Sequence, residues 1–136
     1  MRVYIASPYK RKKDLNTKIY KELRERKIDV FLPKEINIDA VAERPKEQLQ
    51  VAEICYNEIE QCNIILMVWE FGRSVSSEIG YAINIKRSKM RDLKLVLWNS
   101  GDKDIDDLKG EAMIWPYVDK TVDGVEELIE YLKSFA

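Results

Sequence analysis

Residues 64–69 read Ile-Ile-Leu-Met-Val-Trp, six apolar side chains in a row. Side chains of a strand alternate between the two faces of its sheet, so a strand with one wet face alternates apolar with polar residues. A short run without that alternation fits a strand covered on both faces, the setting of a parallel sheet with helices on either side. Residues 93–98 (Leu-Lys-Leu-Val-Leu-Trp) come close to repeating the pattern.

The segments around these runs have the period of helices. Residues 3–6 form a short, β-branched strand. Residues 14–27 form a helix, with Leu15, Ile19 and Leu23 four apart. Residues 30–32 make a second strand, stopped by Pro33. Residues 34–46, of mixed polarity with a proline, read as a loop. Residues 47–62 form a helix with Ala52, Cys55, Tyr56, Ile59 and Cys62 on one face, and residues 75–86 form another. Residues 102–110 are an acidic loop or short helix, residues 113–118 a last strand, and residues 124–135 a closing amphipathic helix. Strands alternating with helices in this way predict an α/β fold, a flavodoxin- or Rossmann-like doubly wound parallel five-stranded sheet of order 2-1-3-4-5. All of residues 1–136 belong to one such domain.

In that winding, ligands bind where the strand order reverses, at the carboxyl ends of strands 1 and 3. Two segments fall there: Ala6-Ser7-Pro8-Tyr9-Lys10, and the loop Glu70-Phe71-Gly72-Arg73-Ser74 leading to Val75-Ser76-Ser77-Glu78-Ile79-Gly80-Tyr81-Ala82. Ser74 or Ser76 suits the N-cap of the following helix. Glu78 then lies in its first turn or just beyond, where the helix dipole favours an ionised carboxylate. Gly80 is expected to let the helix pack closely.

Composition narrows the chemistry. The chain has no histidine, which excludes His-based acid–base catalysis, Ser-His triads and His-ligated metal. Its 23 Lys+Arg against 24 Asp+Glu give a net charge of −1, so it is not a coat for nucleic acid polymers. The excess of base sits in the first 50 residues, largely at Lys10, Arg11, Lys12 and Lys13. Cys55 and Cys62 lie seven apart, about 10 Å along a helix, too far for a disulfide, and read as buried reduced thiols of a cytoplasmic protein. The N-terminus lacks the pattern of a signal peptide, and no apolar run is long enough to span a membrane.

The small polar loop followed by Ser77-Glu78-Ile79-Gly80-Tyr81-Ala82 resembles the nucleoside 2-deoxyribosyltransferase family, a superfamily that includes the 2′-deoxynucleoside 5′-monophosphate N-glycosidases. Val3-Tyr4-Ile5-Ala6-Ser7-Pro8 is similar to its first strand and loop, and Ala112-Met113-Ile114-Trp115 to its late segment. The resemblance implies that Glu78 is the nucleophile and that Tyr4 hydrogen-bonds it. It implies that Ser7, Pro8 and residues Gly72, Arg73, Ser74 and Ser77 line the pocket for sugar and base. Glu111 then contacts the sugar 5′ end from an adjacent subunit, and Met113 and Trp115 help form the shared wall. The expected assembly is a homodimer or higher homo-oligomer with shared active sites. The expected partner is a nucleoside or nucleotide, with no cofactor, no metal and no membrane.

The chemistry those residues support is cleavage of a 2′-deoxynucleoside N-glycosidic bond through a covalent glutamyl-deoxyribosyl intermediate, with transfer of the sugar to another base. Glu70 is the nearest further carboxyl that could protonate the leaving base. Alternatives are hydrolysis of deoxynucleoside 5′-monophosphates and, in another class, a non-catalytic nucleotide-binding module. Three departures from the family pattern bear on the choice. Family members often carry an aspartate eight residues before the residue that opens strand 3; counting back from Asn63 puts Cys55 there. The first loop lacks the glycine and arginine pattern of the nucleotide hydrolases. Glu111 stands where those hydrolases place a serine near phosphate, which favours an uncharged sugar 5′ end, whereas Arg73, Lys10 and Arg11 favour phosphate.

Overall fold

The computed structural model describes residues 1–8, 11–33, 45–99 and 102–135. Five parallel strands, β1 (Arg2–Ala6), β2 (Asp29–Phe31), β3 (Ile64–Val68), β4 (Lys94–Trp98) and β5 (Lys120–Val122), form one sheet in the order β2-β1-β3-β4-β5. Helices α1 (Lys13–Glu25), α2 (Pro45–Gln61), α3 (Arg73–Arg87), α4 (Asp102–Lys109) and α5 (Val125–Lys133) flank it. The predicted doubly wound fold and strand order are therefore both present.

The apolar runs act as their lack of alternation implies. Every residue of β3 is buried. Its even-numbered members Ile64, Leu66 and Val68 join Val3, Ile5 and Val96 in a core under α1 and α5. Its odd-numbered members Ile65 and Met67 join Tyr4, Ala6, Leu95 and Leu97 in a second core, against Cys55 and Ile59 of α2, Val75, Ile79 and Ala82 of α3 and Leu108 of α4. Adjacent residues of one strand thus hold two helical layers together, which fixes the register of β1 on β3, with Tyr4 beside Ile65 and Ala6 beside Met67.

Three expectations are corrected. Residues 113–118 are not a strand: Trp115–Tyr117 is a 3-10 helix. Pro116 has no N–H to give a ladder and suits such a turn. The last strand begins at Lys120, and Asp119 prepares it by bonding Leu95 twice, donating from its N–H to the Leu95 carbonyl and accepting the Leu95 N–H on its carboxylate, each at 2.8 Å. Secondly, α3 starts earlier than expected, with Gly72 rather than a serine at the N-cap and no side chain capping it. Thirdly, Gly80 is no packing glycine, since it is exposed and a Cβ there would meet nothing within 4 Å. Helix α2 begins at Pro45, a residue suited to a first helical turn. The rest of the expected loop, 34–44, lies outside the described residues.

Two stability measurements follow from this packing. Leu66→Ala, deep in the α1–α5 core, is expected to cost about 2–5 kcal/mol in urea unfolding. Gly80→Ala, in an exposed helix interior with room for the methyl group, should instead stabilise by roughly 0.5–1 kcal/mol, seen as a higher urea midpoint at unchanged slope.

Candidate active site

The site is built where β1 and β3 lie side by side and send their chains to opposite faces of the sheet. The loop after β1 is anchored by Pro8, which is buried. Its carbonyl accepts the Lys12 N–H at 3.2 Å and the side-chain amide of buried Asn16 at 3.4 Å. The loop after β3 is anchored across the crevice, where Arg11 Nη2 donates to the Glu70 carbonyl at 2.9 Å. The same guanidinium passes over Gly72, at 3.9 Å from where a Cβ would stand. Among the described residues neither Arg11 nor Arg73 forms an ion pair. Arg11 as a tie between the two loops was not foreseen, because a sequence shows it only as one member of a basic run.

Tyr4 is fully buried in the middle of β1, its ring stacked on Phe31 at 5.4 Å. Its hydroxyl faces the Glu78 carboxylate from α3 and the Cys55 thiol from α2. Both are near enough to perturb its ionisation. The Oη nevertheless completes no hydrogen bond among the described residues, although it is sealed from solvent. Ser7 Oγ, at the end of β1, is likewise buried without a partner among them. Two buried, unsatisfied hydroxyls beside a crevice are a cost in a closed core and an asset in a binding site, where a polar ligand can complete them.

Glu78 is the sixth residue of α3, past the turn where the helix dipole acts. Burial, not the dipole, sets its ionisation. Desolvation pushes its carboxyl up to about 7, against a smaller opposing effect of the Tyr4 hydroxyl. The expectation that the helix N-terminus holds Glu78 ionised is corrected accordingly. Tyr4 is raised by burial first, then by the nearby Glu78 and Cys55 charges, and stays a protonated phenol. The Cys55 thiol is raised by burial and by the Glu78 and Glu58 carboxylates, with Tyr4 acting the other way. Cys62, on the same helix, is pushed up to about 12 by burial. Both cysteines are free and buried.

The structure thus brings together Tyr4, Glu78 and Cys55 at the core of the crevice. Ser7, Pro8 and Gly72 lie on its two bordering loops, and Arg73 opens α3. Ser74 is exposed at the start of α3, and Ser77 turns its hydroxyl back to the Arg73 carbonyl at 3.0 Å. Glu70 is exposed and meets Arg11 through its backbone carbonyl. Glu111 and Met113 are exposed on the turn after α4, and neither makes a hydrogen bond or ion pair with Tyr4 or Glu78. Among the described residues no group of three His, Cys, Asp or Glu side chains is placed to hold a metal ion. No helix among them is long and apolar enough to cross a membrane.

The raised carboxyl makes a prediction about stability. A carboxyl whose pKa is higher folded than unfolded favours the fold while protonated. That contribution is complete below the ordinary value of 4.5 and is lost as pH climbs through about 7. Glu78→Gln cannot ionise, so its stability relative to the parent should grow by up to about 3 kcal/mol between roughly pH 4 and pH 8. Urea unfolding of both proteins across that range measures it; a constant difference would mean that Glu78 titrates normally.

Comparison with known proteins bears on the same segments. The solved structure of a conserved protein from Enterococcus faecalis V583 is similar to this chain over 100% of its length and 99% of that protein's, with a TM-score of 0.62 and 19% identity. That likeness shows the fold. No curated protein matches the chain. The family model described as nucleoside 2-deoxyribosyltransferase matches residues 3–105, a span that holds Tyr4, Ser7, Cys55, Gly72 and Glu78 and stops short of Glu111. With three-quarters of the chain matched and a doubly wound sheet beneath it, the chain belongs to the nucleoside 2-deoxyribosyltransferase family, a family of enzymes acting on nucleosides.

Proposed function

We propose that this protein exchanges the bases of 2′-deoxynucleosides, with Glu78 as the nucleophile. The observation that supports this most directly is a half-buried carboxyl, raised by desolvation, beside a fully buried phenol at the strand-order reversal. A Glu78 oxygen attacks C1′ of the sugar. The N-glycosidic bond breaks, its electron pair leaves on the base nitrogen, and the base takes up a proton. A nitrogen of a second base then attacks C1′ from the opposite side, loses its proton, and releases the carboxylate. Two inversions give net retention. Atoms and charge balance without an electron carrier or a metal. Tyr4 donates its hydroxyl to the attacking carboxylate and holds its orientation, a bond that tightens once substrate closes the crevice. Ser7, Pro8, Gly72, Arg73, Ser74 and Ser77 border the substrate.

The active unit in this reading is a homo-oligomer of single-domain chains, in which Glu111 and Met113 reach a neighbour's site. Met113 is 80% exposed and so within reach of a neighbouring subunit. A second reading, hydrolysis of deoxynucleoside 5′-monophosphates, is favoured by Arg11 and Arg73, cations without ion-pair partners among the described residues and suited to a phosphate.

Chromatography of reactions with deoxyadenosine, deoxycytidine and their 5′-monophosphates, each with and without a second free base, separates these readings. A new nucleoside that requires the acceptor base is the expected product. Free base without acceptor dependence, from monophosphates alone, would move the assignment to hydrolysis. Glu78→Ala should lower turnover on the order of 10³-fold or more. Absence of any Glu78-dependent product would leave a nucleotide-binding module. Because attack needs the ionised carboxylate, kcat/KM is expected to rise with pH through about 7. Tyr4→Phe removes the hydroxyl that lowers the Glu78 pKa, so its acid limb should move to higher pH.

A further inference from the structure

The edge of the sheet away from the crevice carries a charged feature of its own. Helix α3, which bears Glu78, ends at Arg87, and the chain returns through residues 88–93 to begin β4 at Lys94. Residues 86–91 read Lys-Arg-Ser-Lys-Met-Arg, with no carboxylate among them. A groove of about 310 Å³ lies here, lined by Lys86, Lys89, Arg91, Asp92, Leu93 and Lys94. It sits at the amino end of β4, whereas the crevice lies at the carboxyl ends of β1 and β3. The height of a five-residue strand, roughly 16 Å, separates the two. We propose that this groove is a second binding site, and that its ligand is a small anion of the polyphosphate class.

The charges around the groove do not balance. Four cations line it against one carboxylate, Asp92, which meets Lys94 at 3.1 Å. Counting also Asp119, the ion-pair partner of Lys86, cations still exceed carboxylates by two. Arg91 donates from Nη1 to the Glu60 carbonyl, a bond that fixes its guanidinium without neutralising it. Among the described residues neither Arg91 nor Lys89 forms an ion pair. The helix dipole accounts for Lys86 and Arg87, in the last turn of α3. It does not account for Lys89, Arg91 and Lys94, which lie beyond the helix. Like charges gathered in this way repel one another, and an anion among them removes the repulsion. Asp92 opposes any anion, so a single phosphate gains less than a chain of phosphates that reaches several cations at once. Lysine and arginine both give phosphate oxygens charge-assisted hydrogen bonds. The volume lies at the small end of ligand pockets, which suits a phosphate chain. A net charge of −1 over the whole protein provides no long-range attraction for a nucleic acid polymer.

This site does not involve Tyr4 or Glu78, so its test stands apart from the nucleophile reading. Calorimetric titration of the whole chain with inorganic tripolyphosphate, inorganic phosphate and ATP measures it. The expected result is one tripolyphosphate per chain, bound at least about tenfold more tightly than phosphate and more weakly as salt is added. ATP equal to tripolyphosphate would support a site that reads the phosphate chain alone; tighter ATP would support a nucleotide as its source. Lys89 has a left-handed backbone, φ 55°, which Asn and Asp tolerate, so Lys89→Asn removes its charge and Lys89→Asp reverses it. The affinity for tripolyphosphate should fall about threefold in Lys89→Asn and about tenfold or more in Lys89→Asp. Arg11→Gln, at the crevice, should leave it within about twofold, since the two sites are more than a Debye length apart. Amide NMR of the parent should show tripolyphosphate shifts at residues 86–94. No saturation by roughly 5 mM, or phosphate bound as tightly as tripolyphosphate, would overturn the proposal. So would binding lost in Arg11→Gln but kept in Lys89→Asp, which would place the anion in the crevice. A single-stranded DNA bound more tightly than tripolyphosphate through the same residues would also overturn it, in favour of a polymer.

Discussion

The covering of β3 on both faces is the constraint from which the rest follows. Because all five of its residues are buried, none can face water, and the sheet must carry helices on each side. Those helices come from successive crossovers, and the crossovers from β1 and β3 leave toward opposite faces. A crevice between their loops is the geometric result, present before any catalytic residue is chosen. Tyr4 reaches it because its side chain points from β1 to the α2–α3 face, where Ile65 and Met67 also point. The site is a by-product of how the core divides.

Placing a carboxyl at that position has a cost. Desolvation raises the pKa of Glu78 to about 7, so above that pH the fold carries a charge it would hold more cheaply in water. The hydroxyls of Tyr4 and Ser7 add to the cost, because each is buried without a hydrogen-bond partner among the described residues. The surrounding core supplies stability of the opposite sign, from the dense apolar packing of β1, β3 and β4. Local instability concentrated at a crevice, within an otherwise regular α/β fold, is the pattern expected of a functional site.

Much of this was legible in the sequence because it rests on period and burial. The unbroken apolar run at 64–69 identified a two-faced strand, and the strand–helix alternation gave the winding and its switch point. Glu78 and Tyr4 could be singled out from the family resemblance, and the fold places them face to face. Legibility failed where local chemistry competed with pattern. The apolar run around Trp115 looks like a strand, but Pro116 cannot donate to a ladder, and the edge position passed to Lys120–Val122. Serines near the start of α3 looked like caps, while Gly72 took the position. Gly80 looked like a close-packing residue, yet it faces open space. The setting of Cys55 was the least visible feature. The family pattern marked it as a missing aspartate, whereas its place in one buried cluster with Tyr4 depends on how α2 lies over β1.

The absence of histidine gives the Glu78 environment a further meaning. Histidine is the side chain whose ordinary pKa lies close to neutral, so it is the usual means of holding a group near its titration point at physiological pH. A chain without one must reach that range by moving another group, and desolvation moves a carboxyl upward by the required amount. The result at Glu78 is a carboxyl that changes charge near neutrality, which calls for neighbours that do not themselves ionise there. A phenol and a thiol, both raised by burial, meet that requirement because they remain neutral donors across the range in which Glu78 changes state. A second carboxylate beside Tyr4 would not, since the two charges would titrate as a pair and split into one low and one high value.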